Sequence, residues 1–405
     1  MTVSLNPVES PYNRTDPLFF SFMPSPTRSK RLYWLRLCIV QIGRGYDALH
    51  RFLARIAGRW GMPMSADIYH AVQHSNGVSV KGRVLLAKKW RQPTVEDHPV
   101  MNLLQMIRRW TTPERPFSLV RLSVGGATVE QRADRQAYFE IEIPASEVKS
   151  KELLIELPES KVSKSRTMKI RRFGKEARCV IISDIDDTVL VTHVARTLRM
   201  VATTLFGNAL TRQLFPGSAE LYRALRHGTT PHVRERNPVI YVTSSPFNLH
   251  ALLRLVFKEN GLPDGAYFMT DWGIDVDKWF KIGHAEHKLH SIEQAFKWHP
   301  QKPVILIGDS SQHDTDVYVE TALAHPGKVD QILIRDVTGP DHIEQFQEKV
   351  DELHKSGTEF AFFKDSAEAA KILEAKGWIT EEQLAEVVKA FKESPKALGA
   401  DLLHH

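Results

Sequence analysis

The sequence predicts an α/β fold, a doubly wound parallel sheet preceded by a small β-rich domain. Three observations support this. From about residue 178 to 365, short apolar β-branched runs alternate with helical stretches, the pattern of a buried parallel sheet. Polar clusters fall at the carboxyl ends of those runs, where open α/β sheets gather their ligands. Between residues 63 and 158, strand signals follow one another without helices, which reads as antiparallel structure.

The 405 residues suffice for two or three domains with real cores. The balance is basic, +6 with a pI near 9.1, which favours an anionic partner such as a phosphorylated substrate, a lipid surface or nucleic acid. Cys38 and Cys179 are the two cysteines, with neither a disulfide framework nor zinc-site spacing, so a reducing compartment fits. The N-terminus lacks a basic start followed by an apolar stretch, and no run approaches the roughly 20 apolar residues of a membrane span. The expectation is a cytoplasmic protein, free or in peripheral contact with the inner membrane surface.

In chain order, residues 1–30 are rich in Pro, Ser, Asn and Thr without a period, and read as a mobile tail. Residues 31–62 read as a basic amphipathic helical segment. Leu32, Leu35, Ile39, Ile42, Tyr46, Leu49, Leu53 and Ile56 form its apolar stripe, with arginines mostly off it. Such a stripe can lie on an anionic membrane or pack on the neighbouring domain, and packing is the more ordinary outcome.

Residues 63–158 are the β-rich domain, with strands expected near 82–87, 117–124, 137–143 and 153–157 and a turn at Gly125-Gly126. His70, His74, Glu96, Asp97 and His98 lack ligand spacing and read as surface residues. Residues 159–177 are rich in Ser, Lys and Arg and read as a linker. Its Lys169, Arg171, Arg172 and Lys175 form a solvated face that can meet an anionic surface. Residues 178–365 form the α/β domain. Its strands are expected at 179–182, 238–243, 266–270, 303–309 and 331–335, with an edge strand at 359–363. Helices are expected within 189–215, 248–259 and 284–298. Residues 366–405 read as C-terminal helices.

The chemistry gathers at Ile182-Ser183-Asp184-Ile185-Asp186-Asp187-Thr188. Three carboxylates within four residues at a strand end repel one another unless a cation sits among them, and oxygen ligands suit Mg²⁺. A strand period near two lets Asp184 and Asp186 share a side while Asp187 points away. This Asp-x-Asp-x-Thr resembles the first motif of the haloacid dehalogenase superfamily, in its phosphatase branch. The remaining segments follow that superfamily's order, namely a hydroxyl (Thr243), a lysine (Lys288) and an acid pair (Asp309, Asp314).

Phosphoryl transfer needs a nucleophile, charge neutralisation and a proton donor for the leaving oxygen. Asp184 is the candidate nucleophile, able to form an aspartyl-phosphate. Asp186 is the candidate general acid and then base, and Thr188 a loop stabiliser. Thr243 offers a hydroxyl to a phosphoryl oxygen, and Lys288 a cation to nucleophile and phosphate. Asp184, Asp186, Asp309 and Asp314 are the candidate metal set.

A closer likeness lies in Tyr241-Val242-Thr243-Ser244-Ser245-Pro246-Phe247-Asn248-Leu249, His287-Lys288, Ile307-Gly308-Asp309-Ser310 with Asp314 and Tyr318, and Ile334-Arg335. Together these resemble the catalytic domain of the actin-patch-protein type phosphatidate phosphatases over about residues 178–370. A weaker likeness to the small domain of bacterial members reaches through Gly82-Arg83-Val84. The resemblance implies a Rossmann-like sheet of the haloacid dehalogenase type and Mg²⁺-dependent conversion of phosphatidate to diacylglycerol. It assigns Asp184, Asp186, Thr243, Lys288, Asp309 and Asp314 the roles given above. Thr243 stands where that family usually has Ser, Ser311 where it has Gly, and Thr315 where it has Pro.

The stretches between motifs leave no room for a large cap domain. An open site accepts a headgroup presented by a bilayer, whereas small-metabolite enzymes more often close over their substrate. Three readings remain at this point. One is an anionic phospholipid substrate met by peripheral membrane contact. Another is the same mechanism on a phosphoprotein or other phosphomonoester, and the last is a membrane- or partner-binding protein with weak catalysis. No nucleic-acid-binding motif is present, and the oligomeric state is open.

Overall fold

The computed structural model describes residues 63–86, 114–160, 165–172, 176–185, 188–189, 214–230, 236–270, 284–310, 314–337 and 346–394. The expected tail, the striped segment 31–62 and most of the helix expected within 189–215 lie outside the described residues, as do Glu96, Asp97, His98 and Lys175. So do residues 190–213 and 271–283, on which the expected absence of a large cap rests. Among the described residues, no helix is long and apolar enough to cross a membrane.

The N-terminal region is a pair of small antiparallel sheets. One contains β1 (Met64–His74), β2 (Gly77–Leu86) and β5 (Tyr138–Pro144) in the order β1-β2-β5. The other contains β3 (Leu119–Val124), β4 (Ala127–Arg132), β6 (Glu152–Glu156) and β7 (Arg166–Lys169) in the order β4-β3-β6-β7. Alternating side chains such as Val80, Ile141, Leu122 and Ile155 are buried in one shared core. Gly125 and Gly126 join β3 to β4 with φ of 57° and 100°, the left-handed pair that a two-residue hairpin demands.

Two expectations change here. Part of the stretch read as linker is β7, where Met168 packs against the core while its neighbours face water. An edge strand with one apolar contact has too weak an alternation to read. His70 is not a surface residue. It is 1 % exposed, 5.5 Å from the Phe268 ring and 5.0 Å from Trp298. The His74 side chain is also largely covered, 8 % exposed and stacked on Trp298 at 6.2 Å, with Nε2 3.0 Å from Glu142.

The second region is a parallel sheet of β8 (Val180–Asp184), β9 (Val239–Pro246), β10 (Ala266–Thr270), β11 (Val304–Asp309), β12 (Val329–Arg335) and β13 (Glu359–Phe363). Its order is β10-β9-β8-β11-β12-β13, with every neighbouring pair parallel. The helices are α1 (Ser218–His227), α2 (His250–Glu259), α3 (His284–Trp298), α4 (Asp314–Ala324), α5 (Gln347–Lys355), α6 (Ser366–Ala375) and α7 (Glu381–Glu393).

Successive strand residues point to opposite faces. Ile181, Val239 and Tyr241 join α1, α2, α6 and α7 in one core, while Ile182, Ile240 and Val242 join α3, α4 and α5 in another. Both faces are therefore covered, as a parallel sheet requires. The strand order reverses between β8 and β11, so the crevice for a ligand opens at their carboxyl ends.

β1 is shared between the two regions. Ile68 and Ala71 lie in the N-terminal core, whereas Tyr69 and Val72 lie in the two cores of the parallel sheet. Arg171 closes the junction. Its N–H donates to Ala71 O at 2.9 Å, its carbonyl accepts from Gln73 N at 2.8 Å, and its guanidinium lies 2.5 Å from Asp264.

Candidate active site

The run Val180-Ile181-Ile182-Ser183-Asp184 is buried at every position, which fixes β8 in the centre of the sheet. Asp184 therefore ends the strand with its carboxylate only 1 % exposed. Tyr222 of α1 lies 2.5 Å from Ser183 Oγ, and that hydroxyl donates to the carbonyl of Asp184 at 2.7 Å. Burial raises the Tyr222 phenol well above its ordinary value, so it serves as a neutral donor.

Beside β8, the register pairs Ile307 with Ser183, which sets Gly308 and Asp309 at the level of Asp184. Asp309 is fully buried. Asp314 begins α4, where a carboxylate is favoured by the positive end of the helix. Its Oδ2 accepts a long 3.4 Å hydrogen bond from Asp309 N.

That approach depends on Gly308. A Cβ at this position would lie 2.5 Å from Asp314 Oδ2 and 2.8 Å from the Tyr318 ring. Tyr318 in turn donates to Ile307 O at 3.3 Å. Gly308 and Tyr318 belong to the motif in sequence, but only the close packing gives them a role.

Lys288, on α3, is 1 % exposed. Its Nζ lies 2.8 Å from Asp184 Oδ1 and also pairs with Asp314 Oδ1. Burial alone would lower its pKa, but the Asp184 and Asp314 carboxylates more than offset this and hold the ammonium well above the usual lysine range. Lys288 is thus a permanent cation bridging two carboxylates.

Thr243 is fully buried, one residue beyond Val242, the register partner of Asp184. Its Oγ1 accepts from Ser245 N at 2.9 Å, and Thr270 donates to the carbonyl of Ser244 at 2.6 Å. Thr188 is buried, and its carbonyl accepts from Arg335 Nη1 at 3.5 Å. It is thus the Thr188 backbone that meets Arg335. Asp186 and its neighbour Asp187 lie outside the described residues.

Arg335 has a part here that sequence reasoning missed. Its guanidinium lies 3.3 Å from the Phe215 ring centroid and donates to Lys364 O at 3.2 Å, while its carbonyl accepts from Ser310 N at 3.0 Å. The motif resemblance includes Ile334-Arg335 but assigns the arginine no role, because the backbone atoms and the Phe215 ring that it meets are far away in sequence.

Asp184, Asp309 and Asp314 each offer a carboxylate oxygen within 4.8 Å of the others, all buried. Three carboxylates beside one ammonium leave an excess of negative charge in a low-dielectric site. A hard divalent cation fits that donor set, since all three ligands are oxygens.

Residues 179–336 match the family model of the catalytic domain of phosphatidate phosphatase APP1. The chain is 28% identical over 178 residues to phosphatidate phosphatase APP1 of Saccharomyces cerevisiae, covering 43% of this chain and 29% of that protein. It is also 28% identical over 159 residues to an uncharacterized protein of Schizosaccharomyces pombe, covering 39% of this chain and 25% of that protein. The chain thus spans less than a third of the length of these curated relatives. The family resemblance read from the motifs is borne out over the stretch that holds Asp184, Thr243, Lys288, Asp309 and Asp314.

Proposed function

We propose that this protein is a Mg²⁺-dependent phosphatidate phosphatase with a sheet of the haloacid dehalogenase type. It hydrolyses phosphatidate to diacylglycerol and phosphate through an aspartyl-phosphate. The observation that carries the reading is the buried Asp184–Lys288–Asp314 chain beside Asp309, set where the strand order reverses and inside the matching stretch.

Asp184 is the nucleophile. One of its oxygens attacks phosphorus, and the bond from phosphorus to the glycerol oxygen breaks. Asp186 protonates the departing alkoxide, then takes a proton from the water that attacks the aspartyl-phosphate, releasing inorganic phosphate and restoring the Asp184 carboxylate. Lys288 orients the nucleophile and offsets phosphoryl charge, and the Thr243 hydroxyl binds a phosphoryl oxygen. Asp184, Asp186, Asp309 and Asp314 would hold Mg²⁺. When bound, the ion neutralises charge on the phosphoryl oxygens. The lipid is met at an open site by peripheral contact with an anionic bilayer.

The test is Mg²⁺-dependent phosphate release from phosphatidate in mixed micelles, beside a small soluble phosphomonoester, with Asp184→Asn as the blank. Strong preference for phosphatidate supports the chemistry and the substrate together. Turnover of the soluble ester alone keeps the mechanism and removes the lipid. Turnover of neither, by folded protein with metal, removes the phosphatidate reading and leaves a macromolecular substrate such as a phosphoprotein, or a binding role.

A further inference from the structure

β9 carries Thr243 near its end, and the chain then turns through Phe247–Leu249 into α2, a stretch that the N-terminal region grips through β1 and through Tyr138 of β5, whose ring lies 5.1 Å from Phe247. The Tyr69 ring of β1 stacks on Phe247 with centroids 4.2 Å apart and planes 21° apart. Asp67, two residues earlier on the same strand, sets Oδ1 3.2 Å from Nδ1 of His250, the first residue of α2. Tyr69 and His250 also meet edge to face at 4.9 Å, and both are buried.

The two grips lie on one side of β1. A β-bulge between Ile68 and His70 interrupts the alternation at Tyr69, whose ring joins the parallel-sheet core while Ile68 and Ala71 stay in the sandwich core. Burial works against a charged Asp67, yet the adjacent His250 more than offsets it, so the carboxyl is held below the usual carboxylate range. A carboxylate and an aromatic ring facing out of a domain's own core contribute nothing to that core. Besides Tyr138 of β5, 6.3 Å from the Tyr69 ring, they meet Phe247 and His250 on the segment that follows the Thr243 hydroxyl.

We propose that the β-rich domain is a working part of the site: Asp67 and Tyr69 are positioning residues that hold the turn between β9 and α2, and so the end of β9 with the Thr243 hydroxyl, in place. The role of that hydroxyl rests on the phosphatase reading above, whereas the hold on the turn does not. Neither residue touches the reacting atoms. Their effect is geometric, and a misplacement of about 1 Å in a group that contacts the transition state can cost about a hundredfold in rate.

The test compares the full chain with Tyr69→Leu, Tyr69→Phe and Asp67→Ala. Turnover of phosphatidate in mixed micelles is read beside amide hydrogen exchange in peptides covering 243–250, 180–184 and 304–309. Tyr69→Leu is expected to lower kcat by about 10- to 100-fold with KM within about threefold, because a displaced Thr243 hydroxyl loses contacts made chiefly in the transition state. Tyr69→Phe keeps the ring and should restore kcat to within about twofold. Exchange should quicken in 243–250 and stay unchanged in 180–184 and 304–309.

If Tyr69→Leu does not fold, Asp67→Ala decides, since that side chain is 27 % exposed. Variants with unchanged kcat and unchanged exchange in 243–250 would overturn the proposal. So would exchange that quickens equally across the sheet, which marks general loosening. If the wild-type chain releases no phosphate, the phosphatase reading fails, and the exchange comparison alone still decides whether β1 holds the turn.

Discussion

Replacing Gly308 by Ala sets two effects of opposite sign against each other. In a strand interior, Ala normally gains about 0.5–1 kcal/mol over Gly, because Gly loses more backbone entropy on folding. Here the new methyl would sit 2.5 Å from Asp314 Oδ2, 2.9 Å from Asp314 Cβ and 2.8 Å from Tyr318. To reach ordinary contact, Asp314 must retreat by roughly 1 Å, and overpacking of this kind costs about 1–3 kcal/mol. The difference is a net loss between about 0 and 2.5 kcal/mol, centred on about 1 kcal/mol and read as a lower urea midpoint at unchanged m. The retreat also draws Asp314 away from Lys288, so turnover should fall about a hundredfold. A variant more stable than the parent by the full gain of about 0.5–1 kcal/mol, or with undiminished turnover, would refute the claim that Gly308 exists to let Asp314 approach.

Other outcomes follow from the same geometry. Lys288→Met keeps the bulk but leaves Asp184 and Asp314 buried without their shared cation, and should cost about 3–5 kcal/mol in urea unfolding. Mg²⁺ at about a hundred times its dissociation constant should stabilise the chelator-treated protein by about 2.7 kcal/mol, and Asp309→Asn should erase that gain. His299 is buried, which pulls its pKa down to about 4. The unfolded chain then binds the extra proton first, so stability is full above about pH 6.5 and is lost as pH falls towards 4, by up to about 3 kcal/mol. His299→Gln should lessen the loss across that window without abolishing it, because burial holds the pKa values of His70 and His287 down as well, and parallel profiles would contradict the assignment.

Legibility in the sequence tracked how many partners a segment serves. The runs ending at Asp184 and Asp309 are apolar and β-branched because both faces of a central parallel strand are covered, and their acids stand out for the same reason. Thr243 and Lys288 were found through motif order, and the packing then placed Lys288 against both Asp184 and Asp314. β1 escaped notice because it is buried from Ile68 through Val72 against different neighbours on its two faces. That arrangement erases alternation and admits the half-buried Asp67 and the buried His70, which make sense only with the other region in place. β4 and β7 lie at sheet edges, where water replaces the apolar partners that make a strand readable. α1 has the helical spacing of Leu221, Tyr222 and Leu225, but it begins behind a left-handed Gly217 with no side-chain cap to announce it.

The most direct test is to quench the enzyme in acid during turnover of phosphatidate, reduce acyl phosphates with borohydride, and identify the modified residue by peptide mass. An aspartyl-phosphate at Asp184 predicts homoserine at that position in the turning-over enzyme, and none in the absence of substrate or in Asp184→Asn. Steady phosphate release with position 184 unmodified, or with full activity in Asp184→Asn, would contradict the mechanism.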